Sequence, residues 1–321
     1  MNDAFIHSED DFLALINRYF PNEHKELSIA RGDDCAVFAC PPSLCVTTDL
    51  FVEDVHFRTS YFAPADIGHK ALAVNVSDLA AMGAVPLGFS LALVAPRGVP
   101  VSFWEPFLQG MAHLAATHDL VLTGGDLSDG DKITVGITVW GAPGQRVLAR
   151  GRTRIGDVLF VIGRVGMARV GLGVLEAGQD LDAFPACIRQ HVHPEPLVEQ
   201  GRLLAALPGV RGAMDISDGL EQDVPRLLAP GQGATMFMDP SVIHPEVTMY
   251  CARHHLNQAR FCLRGGEDYA LLGAVEPEYF EIVRERIPEA WKLGIVTANG
   301  FSLDGTGIRL QGFDHFSHEQ P

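Results

Sequence analysis

The chain has 321 residues, 24 basic against 40 acidic side chains, and a formal net charge of −16. That sign excludes a basic nucleic-acid footprint and a polybasic membrane surface, both of which need clustered Lys and Arg. Hydrophobic residues at 47% and charged residues at 20% fit folded domains, about two of them at this length, rather than disorder.

In chain order, Ser8 and Asp11 form a capping-box pattern before Phe12, Leu13, Ile16 and Phe20, which predicts a helix ending at Pro21. Cys45 to Asp49 reads as a strand end. Pro64 opens an Ala-rich helix to about Met82, with Ala71, Asn75, Asp78 and Met82 on one face. Phe89 to Val94 is a strand. Ser102 to Glu105 resembles a second capping box, for a helix to about His118. Leu120 to Thr123 is a short strand, and residues 133–140 alternate with period two. A turn at Ala142-Pro143-Gly144-Gln145 divides an N-terminal domain, residues 1–145, from a C-terminal domain, residues 146–321. In the second, strands are predicted at 158–162, 213–216, 235–238 and 269–275. Helices are predicted at 163–177 (after a Gly-rich loop), 197–207, 245–255 and 277–286, and after Ser217-Asp218-Gly219. Alternating strands and helices predict an α/β layered class.

No basic n-region or apolar h-region opens the chain, so no secretory signal is expected. The apolar stretch from Ala71 to Ala95 contains Asn75, Asp78 and Pro86 and reads as a buried helix and strand, not a membrane span. Cysteines 35, 40, 45, 187, 251 and 262 form no C-x-x-C pair, which predicts free buried thiols and a cytoplasmic location. Each of the four lysines (25, 70, 132, 292) lacks a preceding Gly, so a P-loop lysine is impossible. G-x-G-x-x-G, H-E-x-x-H and G-x-S-x-G are also absent.

What the chain has instead is acidic residues in glycine-flanked turns beside apolar runs: Gly32-Asp33-Asp34, Thr47-Thr48-Asp49, Gly124-Gly125-Asp126, Asp215-Ile216-Ser217-Asp218-Gly219 and Gly265-Gly266-Glu267-Asp268. Any one of them is a common turn or helix cap. Asp78, in the middle of an apolar helix, needs a partner of its own. If several converge, two carboxylates 5 Å apart repel by about 3 kcal/mol at an effective dielectric near 20, and the cluster needs cations. Oxygen-only donors favour Mg²⁺ held together with substrate phosphates, and hence phosphoryl transfer.

The ordered set resembles the thiamine-monophosphate kinase family, in the superfamily that includes aminoimidazole ribonucleotide synthetase and selenophosphate synthetase. The segments that carry the resemblance are 32–36, 47–57, 74–84, 124–126, 215–220, 265–269 and Gly312-Phe313-Asp314-His315-Phe316. The resemblance implies an α/β (α+β) two-domain aminoimidazole ribonucleotide synthetase-like fold. Its N-terminal sheet domain would pair across a homodimer, its C-terminal domain would be layered α/β, and ATP would lie between the two. The implied reaction is ATP plus thiamine phosphate giving ADP plus thiamine diphosphate, with several Mg²⁺ ions. Asp34, Thr47, Thr48, Asp49, Asp78, Asp126, Asp215 and Asp218 match metal-binding positions. Gly125, Asp126, Arg150 and Ser217 match nucleotide positions, and His56, Glu267 and Phe313 match the thiamine phosphate pocket. Asp49, Asp126, Asp215 and Arg150 would carry the transfer.

The sequence departs from the family at Leu127-Ser128-Asp129-Gly130, where Thr-Thr is usual, and at Gly166-Met167-Ala168-Arg169-Val170, which lacks the usual Asp. Rival readings are a relative with another phosphoryl acceptor, a non-catalytic nucleotide-binding homologue and a metal-dependent phosphohydrolase. Selenophosphate synthetase would bring a reactive Cys before Cys35, and the hydrogenase-maturation dehydratase a terminal Cys in place of Pro321.

Overall fold

The computed structural model describes residues 5–308. The chain divides into two compact units. One runs from Phe5 to Leu79 and from Ala84 to Pro143. The other takes Ala80–Gly83 and the described residues from Gly144 to Ile308.

The first unit opens with α1 (Glu9–Tyr19), whose Ser8 cap accepts from the Asp11 amide as the sequence predicts. A small hairpin follows, β1 (Leu27–Ile29) with β2 (Val37–Phe38). Next come β3 (Cys45–Val52), α2 (Pro64–Ala81), β4 (Val85–Ala95), α3 (Val101–Thr117), β5 (Val121–Asp129) and β6 (Thr134–Ala142). The four longer strands make one sheet in the order β3-β6-β4-β5, with β4 and β5 parallel and the other pairs antiparallel. Phe51, Leu91, Leu93, Val135, Ile137 and Val139 are buried on one face. On the other face Val46 is 61% and Leu50 64% exposed. Helices α2 and α3 cross closely enough that a Cβ on Gly68 would lie 1.9 Å from the Phe107 carbonyl and one on Gly110 2.0 Å from that of Ala65.

The second unit contains β7 (Val158–Ile162), α4 (Met167–Ala177), α5 (Pro185–Val192), α6 (Val198–Ala206), β8 (Val210–Asp215), α7 (Leu220–Leu227), β9 (Gly233–Met236), α8 (Pro245–Arg253), α9 (Gln258–Leu263), β10 (Leu271–Val275), α10 (Phe280–Arg286), β11 (Ala290–Thr297), β12 (Phe301–Leu303) and β13 (Thr306–Gly307). Among the described residues its seven strands run β13-β12-β9-β11-β7-β10-β8, and of their pairs only β9 with β12 is parallel. Every residue of β7 and β10 is buried. Leu159 and Val161 join one apolar cluster while Val158, Phe160 and Ile162 join another, so the sheet is covered on both faces. The α/β class stands as predicted.

Several boundaries differ from the sequence reading. Helix α3 starts at Val101 after Pro100 with no side-chain cap, so Ser102 is not the second capping box. Strand β3 continues past Asp49 to Val52, and β5 runs through Gly124-Gly125-Asp126 instead of ending before it. The six cysteines are free thiols, but Cys35 and Cys40 are exposed; only Cys187, Cys251 and Cys262 are buried. Among the described residues no helix is long and apolar enough to cross a membrane.

Candidate active site

Period-two alternation on β3 sends Thr47, Asp49 and Phe51 toward α2, and Val46, Thr48 and Leu50 to the open face. The Thr47 hydroxyl donates to Asp78 Oδ2 at 2.6 Å, which supplies the partner that Asp78 requires. Partial desolvation, then the nearby Asp78 charge, hold the Asp49 carboxyl above the ordinary carboxylate range. Thr47, Asp49 and Asp78 therefore form one oxygen cluster whose like charges favour a cation. Thr48 does not join it: its hydroxyl donates to the Ile137 carbonyl at 3.0 Å and lies 2.9 Å from Thr138 Oγ1, on the opposite face.

Asp126 owes its place to β5. Phe89 pairs with Leu122 and Ser90 with Gly124, so Thr123 has no partner and bulges. Its hydroxyl donates to the Phe89 carbonyl at 3.2 Å. A Cβ on Gly125 would stand 1.7 Å from the Leu91 carbonyl, so only Gly fits there. After the bulge Asp126 aligns with Ala92, Gly136 and Leu50, which puts it on the open face. Asp126 and Asp34 line one cleft of about 550 Å³ together with Arg31, Ser90, Gly124 and Trp140.

Within the sheet of one chain, Asp49 and Asp126 do not meet. Strands β3 and β5 are its two edges, three strand spacings or about 14 Å apart, and the two side chains leave opposite faces.

Arg31, which the sequence reading did not select, sets the Asp33-Asp34 loop. Its guanidinium donates to the carbonyls of Leu122 at 2.6 Å and Phe20 at 2.7 Å and to Asn17 Oδ1 at 3.1 Å, while Asn22 brackets its backbone. His56 stacks on Phe51 at 5.8 Å, and its Nδ1 accepts from the Val52 amide at 3.0 Å.

In the second unit Asp215 is the last residue of β8 and is 7% exposed. The two loops at this end are laced together. Glu267 donates its amide to the Ser217 carbonyl at 2.8 Å, Tyr269 to that of Ile216 at 3.0 Å, and Ile216 to that of Ala270 at 2.8 Å. Glu267 and Tyr269 sit in left-handed backbone, with φ of 60° and 49°, a strained conformation for such residues. Asp268 anchors the loop: its carboxylate accepts from the Gly166 amide at 2.6 Å and the Ala168 amide at 2.9 Å, at the start of α4. That start is the segment that departs from the family pattern; here its amides are satisfied from within the unit. Burial pushes Asp268 up to about 7 against the pull of these donors.

Asp218 pairs with Arg226, which also reaches Asp223 Oδ1 at 3.1 Å. Asp223 is fully buried and accepts from the Asp218 amide at 3.1 Å; desolvation, then Asp218, push it up to about 6. Arg150 is exposed. Phe313 lies outside the described residues.

Residues 32–142 match the family model for the AIR synthase related protein, N-terminal domain. A thiamine-monophosphate kinase of Bacillus subtilis is 34% identical over 95% of this chain and 99% of its own. The chain belongs to the thiamine-monophosphate kinase family. Solved members of the family share the fold. A thiamine-monophosphate kinase from Stenotrophomonas maltophilia superposes with a TM-score of 0.82 at 29% identity, over 92% of this chain and 96% of that one. A structure described as AaThiL complexed with AMPPCP and TMP superposes at 0.77 with 28% identity, over 96% and 97%. The aminoimidazole ribonucleotide synthetase-like fold expected from the ordered motifs is therefore the observed one.

Proposed function

We propose that this protein transfers the terminal phosphoryl group of ATP to thiamine phosphate, giving ADP and thiamine diphosphate. The observation that carries this reading is full-length similarity to thiamine-monophosphate kinases, together with the fold shared with a relative described in complex with AMPPCP and TMP. The acceptor is a phosphate oxygen, already largely ionised at neutral pH because its second pKa is about 6, so a strong general base is unnecessary. What the protein must supply is alignment and charge neutralisation.

We assign Asp34, Asp49, Asp78, Asp126, Asp215 and Asp218, with the Thr47 hydroxyl, to Mg²⁺ binding. The donors are oxygen alone, and crowded Asp49 and Asp78 fit a hard cation. Thr48, whose side chain faces away, is left out of this set. Bound Mg²⁺ supplies countercharge to the triphosphate. Gly125 lets the β5 backbone approach β4 closely, Asp126 projects into the cleft beside it, and Ser217 and the exposed Arg150 are assigned to the nucleotide. A planar guanidinium suits phosphate oxygens better than an ammonium does. His56 and Glu267, with Phe313, are assigned to thiamine phosphate; Glu267 presents a carboxylate to its cationic ring system. Residues 1–145 would be the nucleotide, metal and dimerisation domain, and residues 146–321 the C-terminal domain.

The reading includes a homodimer. The open sheet face carries exposed Val46 and Leu50, and the carboxylates are split between its two edges. A second copy laid on that face would cover the apolar side chains and bring its own carboxylates beside them. A cytoplasmic location belongs to the same reading and is supported by six free thiols.

ADP release measured with and without thiamine phosphate tests the activity. Release that requires the acceptor is the expected result, and acceptor-independent release would identify a hydrolase instead. Asp49→Asn and Asp215→Asn with Mg²⁺ titration test the metal assignment. Unchanged turnover and metal dependence in both variants would remove it.

A further inference from the structure

Nδ1 of His191 lies 3.2 Å from Oε2 of Glu267, with the His191 side chain 2% exposed and that of Glu267 30%. The imidazole therefore backs the carboxylate from the interior while the carboxylate keeps an outer side open to solvent.

The surroundings hold this pair in place. Helix α5, which carries His191, packs so tightly on α4 that a Cβ on Gly171 would lie 2.2 Å from the Cys187 carbonyl and 2.9 Å from the His191 Cβ. Gly171-Leu172-Gly173, too short for a dinucleotide fingerprint, thus has a packing role. At its N-terminal end α5 is fixed by Glu246, whose carboxylate accepts from the amides of Ala186 at 3.2 Å and Cys187 at 2.8 Å. Beside His191, Gln190 Nε2 donates to the Asp268 carbonyl at 2.8 Å. The loop bearing Glu267 is thus tied to α5 through two consecutive side chains, one on the backbone of residue 268 and one on the carboxylate of residue 267. The left-handed Glu267 backbone gives that carboxylate a direction the local chain would not choose by itself. A carboxylate aimed this way, with a buried polar partner behind it, is a preorganised receptor for a cationic ligand group.

We propose that His191 is a positioning residue for the phosphoryl acceptor: it fixes the Glu267 carboxylate in the orientation that receives the cationic ring system of thiamine phosphate. The proposal rests on the assignment of Glu267 to that substrate.

Steady-state kinetics on the full-length enzyme provide the test, with thiamine phosphate and ATP varied separately. In His191→Leu the KM for thiamine phosphate is expected to rise about 10-fold or more, from loss of the 3.2 Å contact between Nδ1 and the carboxylate. The KM for ATP and kcat should stay within about 3-fold of the starting enzyme. His191→Asn, whose amide nitrogen falls near the Nδ1 position, should recover most of the loss, and His191→Gln, which mimics Nε2, should not. In a Glu267→Gln background, His191→Leu should add less than about 2-fold. An unmoved acceptor KM in His191→Leu, beside a raised one in Glu267→Gln, overturns the role of His191 alone. Asn and Gln variants that behave alike overturn it too, and this comparison decides the matter if the Leu variant does not fold. An unmoved acceptor KM in Glu267→Gln overturns the substrate assignment of Glu267 and the positioning role with it.

Discussion

The hydroxyl of Thr47 donates to Oδ2 of Asp78 across 2.6 Å, joining strand β3 to helix α2 at the point where Asp49 adds a second carboxylate. The arrangement places negative charges together in a partly desolvated spot, which opposes folding in the absence of a cation. Asp49→Asn removes one of them. Its metal-free thermal midpoint should rise by about 2–4 °C, the shift expected from roughly 1 kcal/mol. Its kcat/KM should fall about 100-fold or more. Calorimetry without divalent ions, paired with the kinase assay, checks both halves; a lower midpoint would contradict the crowding argument.

Gly125→Ala should be far more damaging than an exposed position suggests. The new Cβ would lie 1.7 Å from the Leu91 carbonyl, a backbone atom that moves only if β4 and β5 separate. Urea unfolding should report a loss of about 2–4 kcal/mol. Gly124→Ala, where a Cβ meets nothing within 4 Å, should fall within about 1 kcal/mol of the parent.

Asp268 gives stability a pH slope of defined sign. Its ordinary value is 3.8 and burial pushes it up to about 7. Between those values the folded chain holds the proton more tightly than the unfolded chain does. The contribution of this group is therefore greatest below about pH 4, falls as pH rises to about 7, and is flat above. Asp268→Asn should remove that slope. It also replaces one of the two oxygens that accept from the Gly166 and Ala168 amides by an N–H₂, so that one of these amides loses its acceptor, and should cost about 2 kcal/mol at neutral pH. Denaturant melts across pH 4 to 8 distinguish the two effects.

Arg31→Met keeps an unbranched stem but leaves the carbonyls of Leu122 and Phe20 without their donor. A loss of about 2–3 kcal/mol is expected. Nucleotide affinity should weaken with it, because the Asp33-Asp34 loop lines the cleft shared with Asp126. Thermal melts and fluorescent-nucleotide titration measure the two quantities, and an unaltered pair would show that the loop holds its place without Arg31.

Leu50→Arg tests the sheet face. Leu50 is 64% exposed in the single chain, so the change should leave the melting curve of an isolated protomer nearly unmoved. In a homodimer built on this face it buries a charge and should shift sedimentation toward the monomer. A species of unchanged mass would place the interface elsewhere.

Local signals survived the passage from sequence to structure. Ser8 caps α1 because its partner is only three residues away, and the all-apolar run 158–162 is a strand buried on both faces. The ordered acidic motifs identified the family. What could not be read were features set by distant partners. Gly124-Gly125-Asp126 looks like a turn in isolation, yet it is strand, because Gly125 admits the Leu91 backbone. Thr48 looks equivalent to Thr47 until pairing with Thr138 fixes the face it takes. Arg31 acts on a carbonyl 91 positions further along the chain, and Asp268 on an amide 102 positions earlier. No local window contains either pair.

The unmatched residue at Thr123 also limits how this segment can change over evolutionary time. Side chains in a strand alternate sides, so an insertion or deletion of one residue between Leu122 and Asp126 would invert the parity of the segment and turn the carboxylate inward, toward the helices. Substitutions there can be sampled one at a time. A change of length cannot, since no intermediate lies between the two orientations, and the spacing of this stretch is constrained as strongly as its chemistry.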